Sequence, residues 1–223
     1  MLFHIHDYRI KTPVAPDVKF ADLIVMLIGL TGKYCAGKNH IAAVLEKKGL
    51  SVLDVDKLGY YVLETEKTAI FAQFGCDLQK PDGSLDRRLL GQRVFGNPEK
   101  LRLLEAIVHP PVNRLMAEWT ANNKDKTCVI NAALLHRAEV FDKLDRIILV
   151  TTPFLTRLLR AKRRDRLSLT EILKRFSSQK GFNTQYLSAN AEIIRVGNPG
   201  LSGSQKLQQK LERRIDIILE GIC

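Results

Sequence analysis

The sequence predicts a three-layer α/β fold with about five parallel strands, a helical subdomain and a short Arg-rich helical lid. Three observations carry this. The apolar run Leu23–Leu30 leads to Gly32, four further residues, Gly37 and Lys38, and then to Ile41, Val44 and Leu45 at helical spacing. Short runs at Ser51–Asp56, Lys126–Asn131, Asp145–Val150 and Glu192–Val196 read as further strands between helical stretches. The span 57–122 is mainly helical in pattern and interrupts that alternation.

The 223 residues suffice for one such domain with a subdomain, expected at 26–223. A hydrophobic fraction of 45% supports a full core and argues against disorder. The net charge of +11 points to a polyanionic partner such as a nucleotide, a coenzyme or nucleic acid. No nucleic-acid recognition motif accompanies the charge, so nucleic acid is not expected. Cysteines 35, 76, 128 and 223 form neither a C-x-x-C pair nor a zinc pattern, which suits reduced thiols in a cytoplasmic protein. Cys35 reads either as a redox-sensitive thiol in an electropositive loop or, more simply, as a loop filler. No apolar run reaches the roughly 18 residues of a membrane span, so no membrane partner is expected. Residues 1–25 lack periodicity and read as a dispensable extension before a natural start at Met26, with His4 and His6 solvated.

The loop after the first strand has the glycine spacing that cradles phosphates. Glycines let successive N–H groups turn inward, and the helix beginning near Lys38 aims its positive end at the same point. Gly32, Lys33, Tyr34, Cys35, Ala36, Gly37, Lys38, Asn39 and His40 are therefore the expected polyphosphate contacts, with Lys38 a point charge on the outer phosphates. The pattern calls for Ser or Thr where Asn39 stands. The plain alternative is an ordinary glycine turn between strand and helix.

The first helix should stop at Gly49. The second strand ends in Asp54 and Asp56, two apart and so on one strand face unless the chain turns between them. One could hold Mg²⁺ through water while the other accepts a hydroxyl proton; alternatively Asp56 is a helix N-cap. A helix over 57–74 should end at Gly75, with a turn at Pro81-Asp82-Gly83. Another helix runs from Asp86 to Phe95, and Asn97-Pro98 breaks it. Leu101, Leu104 and Val108 mark the next helical face. His109-Pro110-Pro111 should interrupt it before Val112, Leu115, Met116 and Trp119 resume it. The span 57–125 is thus expected to cap the substrate. A loop follows at Ala132–His136. After Thr151-Thr-Pro153, a helix bearing Arg157, Arg160, Lys162, Arg163 and Arg164 and a second at about 169–179 should form a mobile lid over 156–180. Asn198–Gly203 reads as a loop. Leu207, Leu211, Ile215 and Ile218 stripe a final amphipathic helix.

These parts together resemble the dephospho-coenzyme A kinases over most of residues 26–196. The resemblance rests on Ile28-Gly-Leu-Thr-Gly32 with Gly37-Lys38, Leu53-Asp-Val-Asp56 and Asp82-Gly-Ser-Leu-Asp-Arg87. It continues in Leu90, Val94-Phe95, Asn97–Leu101, His109-Pro110, Leu134-Leu135, Arg160-x-x-x-Arg164-Asp165 and Arg175-x-x-x-Gln179. It implies a P-loop kinase fold and transfer of the γ-phosphate of ATP, with Mg²⁺, to the ribose 3′-hydroxyl of dephospho-coenzyme A. It further implies Asp56 as the base, Asp54 as support for it or for the metal, and Asn39 as a second metal contact. Lys38 would hold ATP phosphates and act in catalysis, Arg160 and Arg164 would be lid arginines, the first catalytic and the second on ATP, and Arg87 and His109 would bind or shape the coenzyme side. Departures from the family pattern are Lys33 and Cys35 for glycines, Asn39 for Ser or Thr, Tyr60 for His or Arg, Arg137 for an acid and Arg157 for a lid glutamine. The rivals are a kinase for another nucleotide-like hydroxyl and a non-catalytic coenzyme A or nucleotide-binding module. A monomer or weak homo-oligomer is expected.

Overall fold

The computed structural model describes residues 25–165, 167–179, 181–182, 186, 190–198 and 205–220. The strands are β1 Leu27–Gly32, β2 Ser51–Asp54, β3 Cys128–Asn131, β4 Arg146–Thr151 and β5 Glu192–Gly197. The helices are α1 Lys38–Lys47, α2 Val55–Thr65, α3 Lys67–Phe74, α4 Arg87–Val94, α5 Pro98–Asn122, α6 Phe154–Asp165, α7 Leu169–Ser177 and α8 Gln205–Glu220. The expectations for residues 1–24, for Cys223 and for the loop beyond Asn198 fall outside the described residues.

The strands form one parallel sheet in the order β2-β3-β1-β4-β5. Alternation along the strands builds the layers. Ile28 and Leu30 of β1 and Ile148 and Val150 of β4 face α1 and α8, meeting Ile41, Leu45, Leu211 and Ile215. Ile130, Ile147 and Leu149 face the other way, into a cluster with Met116, Leu135, Leu144, Phe182 and Tyr186. Each such side chain contributes about 2 kcal/mol on burial, so one-residue slippage of a central strand would be very costly. Gly29 lies on the second face because a Cβ there would sit 2.5 Å from Leu135 Cδ2. The register sets Asp54 beside Asn131, and Asn131 beside Leu30, at the carboxyl edge of the sheet. That edge is where open α/β sheets bind ligands.

The helical subdomain has its own core of Ile70, Phe74, Leu78, Leu85, Leu90 and Val94. Asp86 caps α4, accepting from Arg88 N at 3.0 Å and Leu89 N at 2.9 Å. Asn97 caps α5, accepting from Lys100 N at 3.0 Å, with Pro98 at the first position.

Three expectations change. The second strand stops at Asp54, because the Asp54 carboxylate accepts Lys57 N at 3.1 Å and starts α2. Asp54, not Asp56, is the N-cap. The helix expected over 57–74 is two, divided at Glu66. His109-Pro110-Pro111 does not interrupt α5, which runs unbroken from Pro98 to Asn122. Each interior proline removes a backbone bond and costs about 3 kcal/mol locally. Burial of Val112 and Met116, and packing of α5 against α2, α3 and α4, offset that cost.

The two basic helices are α6 and α7, the latter started by a capping box between Ser168 and Glu171. Ala161 and Ile172 pack on Cys35, with Tyr34, Leu158 and Phe176 around them. Among the described residues no helix is long and apolar enough to cross a membrane.

Candidate active site

The glycine loop is held in shape by groups distant in sequence. Gly37 has φ 92°, and a Cβ there would lie 2.3 Å from Asn198 Nδ2, so only glycine fits. Cys35 also occupies the left-handed region, at φ 59°. The Ala36 carbonyl gathers three donors: Thr152 Oγ1 at 2.8 Å, Arg160 Nη1 at 3.0 Å and Asn198 Nδ2 at 3.1 Å. With the carbonyls tied back, Ala36 N bonded to Lys33 O at 2.8 Å and Tyr34 N to Gln179, the positive end of α1 is what the loop offers an anion.

Lys38 is the centre of a polar network at the sheet edge. Its Nζ lies 2.5 Å from Asp56 Oδ2, 3.2 Å from Asn131 Oδ1 and 3.3 Å from Asn39 Oδ1. Asn131 Nδ2 donates to Asn39 Oδ1 at 3.2 Å, and Ala133 N to Asp56 Oδ1 at 3.4 Å. Asp56 sits in the first turn of α2, where the helix start favours a carboxylate. The two acids therefore do not share a strand face. Asp54 turns to its own helix and to Lys57 Nζ at 3.7 Å, while Asp56 turns to Lys38.

Side chains on α6 and just after α7 reach the same loop. Arg160 grips the Ala36 carbonyl and Asn198 O at 3.2 Å. Arg157 donates from Nε to Tyr34 O at 2.8 Å and lies 4.4 Å over the Phe176 ring. Gln179 Oε1 accepts Tyr34 N at 2.8 Å. The Tyr34 hydroxyl bonds Asp165, which also pairs with Arg164 at 2.6 Å and Arg175 at 3.8 Å. Burial lowers the pKa of Arg157 and of Arg160 from the usual arginine value. Burial pushes the Cys35 thiol up against the opposing pull of Arg164, Arg157, Arg160 and Arg175. That direction favours Cys35 as a packed thiol over a reactive one.

A cleft of about 1870 Å³ opens between the loop, the helices over 55–122 and the basic helices α6 and α7. It exceeds the roughly 300–1,000 Å³ of a single small-molecule pocket, leaving room for two ligands. The whole loop from Gly32 to His40 lines it, as do Asp54, Asp56, His109, Arg160 and Arg164. Arg87 does not line it directly; its guanidinium lies 4.7 Å over the ring of Tyr60, which does. His40 Nε2 meets Gln208 Oε1 at 2.7 Å on another wall. Among the described residues no group of three or more His, Cys, Asp or Glu could hold a metal alone. That donor set fits Mg²⁺, which is commonly held by one or two carboxylates with water and phosphate oxygens completing the shell. Asp54 is the cleft carboxylate that could serve it, Asp56 being paired with Lys38. Asn39 Oδ1 already accepts two protein donors, so it would have to exchange one to serve as a ligand.

Asn131, Thr152 and Asn198 were not singled out from the sequence. Asn131 carries a faint signal as the last residue of a strand. Thr152 and Asn198 carry none, since their role is to hold a carbonyl over a hundred residues away.

The family model described as dephospho-CoA kinase matches residues 26–198. A dephospho-CoA kinase of Treponema pallidum is 34% identical over 86% of this chain and 93% of its own length. That of Treponema denticola is 32% identical over 85% and 90%. Among solved structures, the dephospho-CoA kinase of Campylobacter jejuni superposes with a TM-score of 0.62 at 25% identity, covering 88% of this chain and 98% of that one. A shikimate kinase from Acinetobacter baumannii, at 16% identity and TM-score 0.50 over 90% of this chain and 97% of its own, shares the fold.

Proposed function

The chain belongs to the dephospho-CoA kinase family, and from that premise we propose how its own residues carry out the reaction. The protein transfers the γ-phosphoryl group of ATP to the ribose 3′-hydroxyl of dephospho-CoA, in coenzyme A biosynthesis. The observation that carries the residue assignment is the contact of Lys38 with Asp56 at 2.5 Å across the floor of the cleft. It joins the phosphate loop to a carboxylate on the first turn of the acceptor-side helix.

Such transfer is mostly positioning and charge stabilisation. The N–H groups at the start of α1 and Lys38 hold the β- and γ-phosphates. Asp56 faces the acceptor and takes the hydroxyl proton as the oxygen attacks. Lys38 moves from Asp56 toward the phosphates when ATP binds, which leaves Asp56 to the hydroxyl. Arg164 lines the cleft from the lid and supplies further positive charge. Arg160 acts at one remove, by fixing the loop through Ala36 and Asn198. His109 lines the coenzyme side, and Arg87 sets the Tyr60 ring beside it. Asp54 and Asn39 flank the place for Mg²⁺, which when bound neutralises charge on the phosphate oxygens.

Residues 57–125 serve as the coenzyme-binding subdomain and 156–180 as the lid of a single domain. The protein works in the cytoplasm as a monomer or weak homo-oligomer, without nucleic acid or membrane.

Release of ADP that requires both dephospho-CoA and Mg²⁺ tests this reading. Its absence would favour a binding module. In the same assay, Asn39→Thr is expected to lower the Mg²⁺ concentration giving half-maximal rate by about two- to tenfold, because a hydroxyl frees the metal place from the Asn39 amide network. An unchanged Mg²⁺ curve would remove Asn39 from the metal account.

A further inference from the structure

A second cavity, of about 200 Å³, lies beside the loop and is lined by Lys33, Val150, Thr151, Thr152, Arg157 and Phe182 among others. It shares only Lys33 with the transfer cleft. Arg157 is 7% exposed, and its Nη2 is buried with no hydrogen-bond partner. A buried cation left in that state is costly, and native structures satisfy such groups with water or an ion. Among the described residues neither Arg157 nor Lys33 forms an ion pair, and no carboxylate lines the cavity. Two cations therefore face one small space without a counter-charge. Both stand where the family resemblance expects other residues, a glycine for Lys33 and a glutamine for Arg157.

We propose that this cavity binds one free tetrahedral oxyanion of sulfate or phosphate size, held between the Arg157 guanidinium and the Lys33 ammonium. The guanidinium fork matches two oxygens of such an ion, while lysine adds a point charge. The volume equals about six or seven waters at roughly 30 Å³ each, enough for the ion with a few waters retained. Arg157 already holds the Tyr34 carbonyl, so an ion on its other nitrogen braces the phosphate loop from outside the transfer cleft. The site needs no turnover, and Lys33 is the one residue it shares with the phosphate loop's lining of the transfer cleft.

The test is calorimetric titration of sulfate at constant ionic strength into the full chain, with β,γ-imido-ATP, Mg²⁺ and dephospho-CoA saturating. These ligands fill the phosphate places of the large cleft. The expected result is one sulfate per chain, competed by inorganic phosphate, with affinity at least tenfold weaker in Lys33→Gln and in Arg157→Gln. Loss of all sulfate binding once the cleft ligands are present would assign the ion to the cleft and overturn the proposal. Unchanged affinity in both variants would overturn it equally. Should Arg157→Gln fail to fold, as judged by its melting curve, Lys33→Gln decides alone.

Discussion

Replacing Lys38 with alanine is expected to lower kcat by about a hundredfold or more. The estimate follows from the loss of one preorganised donor to developing charge, typically about 10²–10³ in rate. Lys38 is also the side chain that links Asp56, Asn131 and Asn39. Its removal leaves the Asp56 carboxylate without its cation and loosens the floor of the cleft as well as the phosphate contact. Steady-state kinetics with calorimetric ATP binding separates these effects. A loss below tenfold, with ATP affinity intact, would show that the loop backbone alone does the work assigned to Lys38.

Asp56→Asn is expected to cost about 10²–10⁴ in kcat, the range typical of a lost general base. The amide keeps the shape and can still meet Ala133 N, so KM for dephospho-CoA should stay within about threefold. Removing a base without removing binding lowers kcat and kcat/KM together. Asp54 supplies the contrast. Its carboxylate caps α2 through Lys57 N at 3.1 Å, and asparagine is an equally good cap. Asp54→Asn should therefore leave folding intact and change mainly the Mg²⁺ dependence. If Asp54→Asn showed the larger loss of kcat at saturating Mg²⁺, the roles of the two acids would have to be exchanged.

The pair also shows where sequence reading stops. Two acids separated by one residue could lie on one strand or straddle a helix start. Only the hydrogen bond from Lys57 N to Asp54 decides that the strand ends first. The sheet was legible because β1 and β4 are short apolar runs, as strands covered on both faces require: Ile28 and Leu30 serve one face, and Ile147 to Val150 alternate between the two. The glycine loop was legible because Gly32 and Gly37 are required by close contacts that no other residue satisfies. The continuity of α5 was not legible. Pro110 and Pro111 argue locally for a break, and the packing that overrides them is spread over a 25-residue helix. Arg160 read as a cation for phosphate, yet its guanidinium is engaged with carbonyls of the loop and of Asn198. Basic residues on a helix declare their charge, whereas their partners depend on tertiary placement. Asn131 becomes meaningful only once the strand order sets it between Asp54 and Leu30.

The most direct test of the central claim is to incubate the protein with ATP, Mg²⁺ and dephospho-CoA and to determine the product by mass and by phosphorus NMR. The account predicts a product heavier by one phosphoryl group, carried on the ribose 3′-oxygen, formed by the wild-type chain and nearly absent with Asp56→Asn. Binding of dephospho-CoA without that product, or phosphorylation at another hydroxyl, would contradict it.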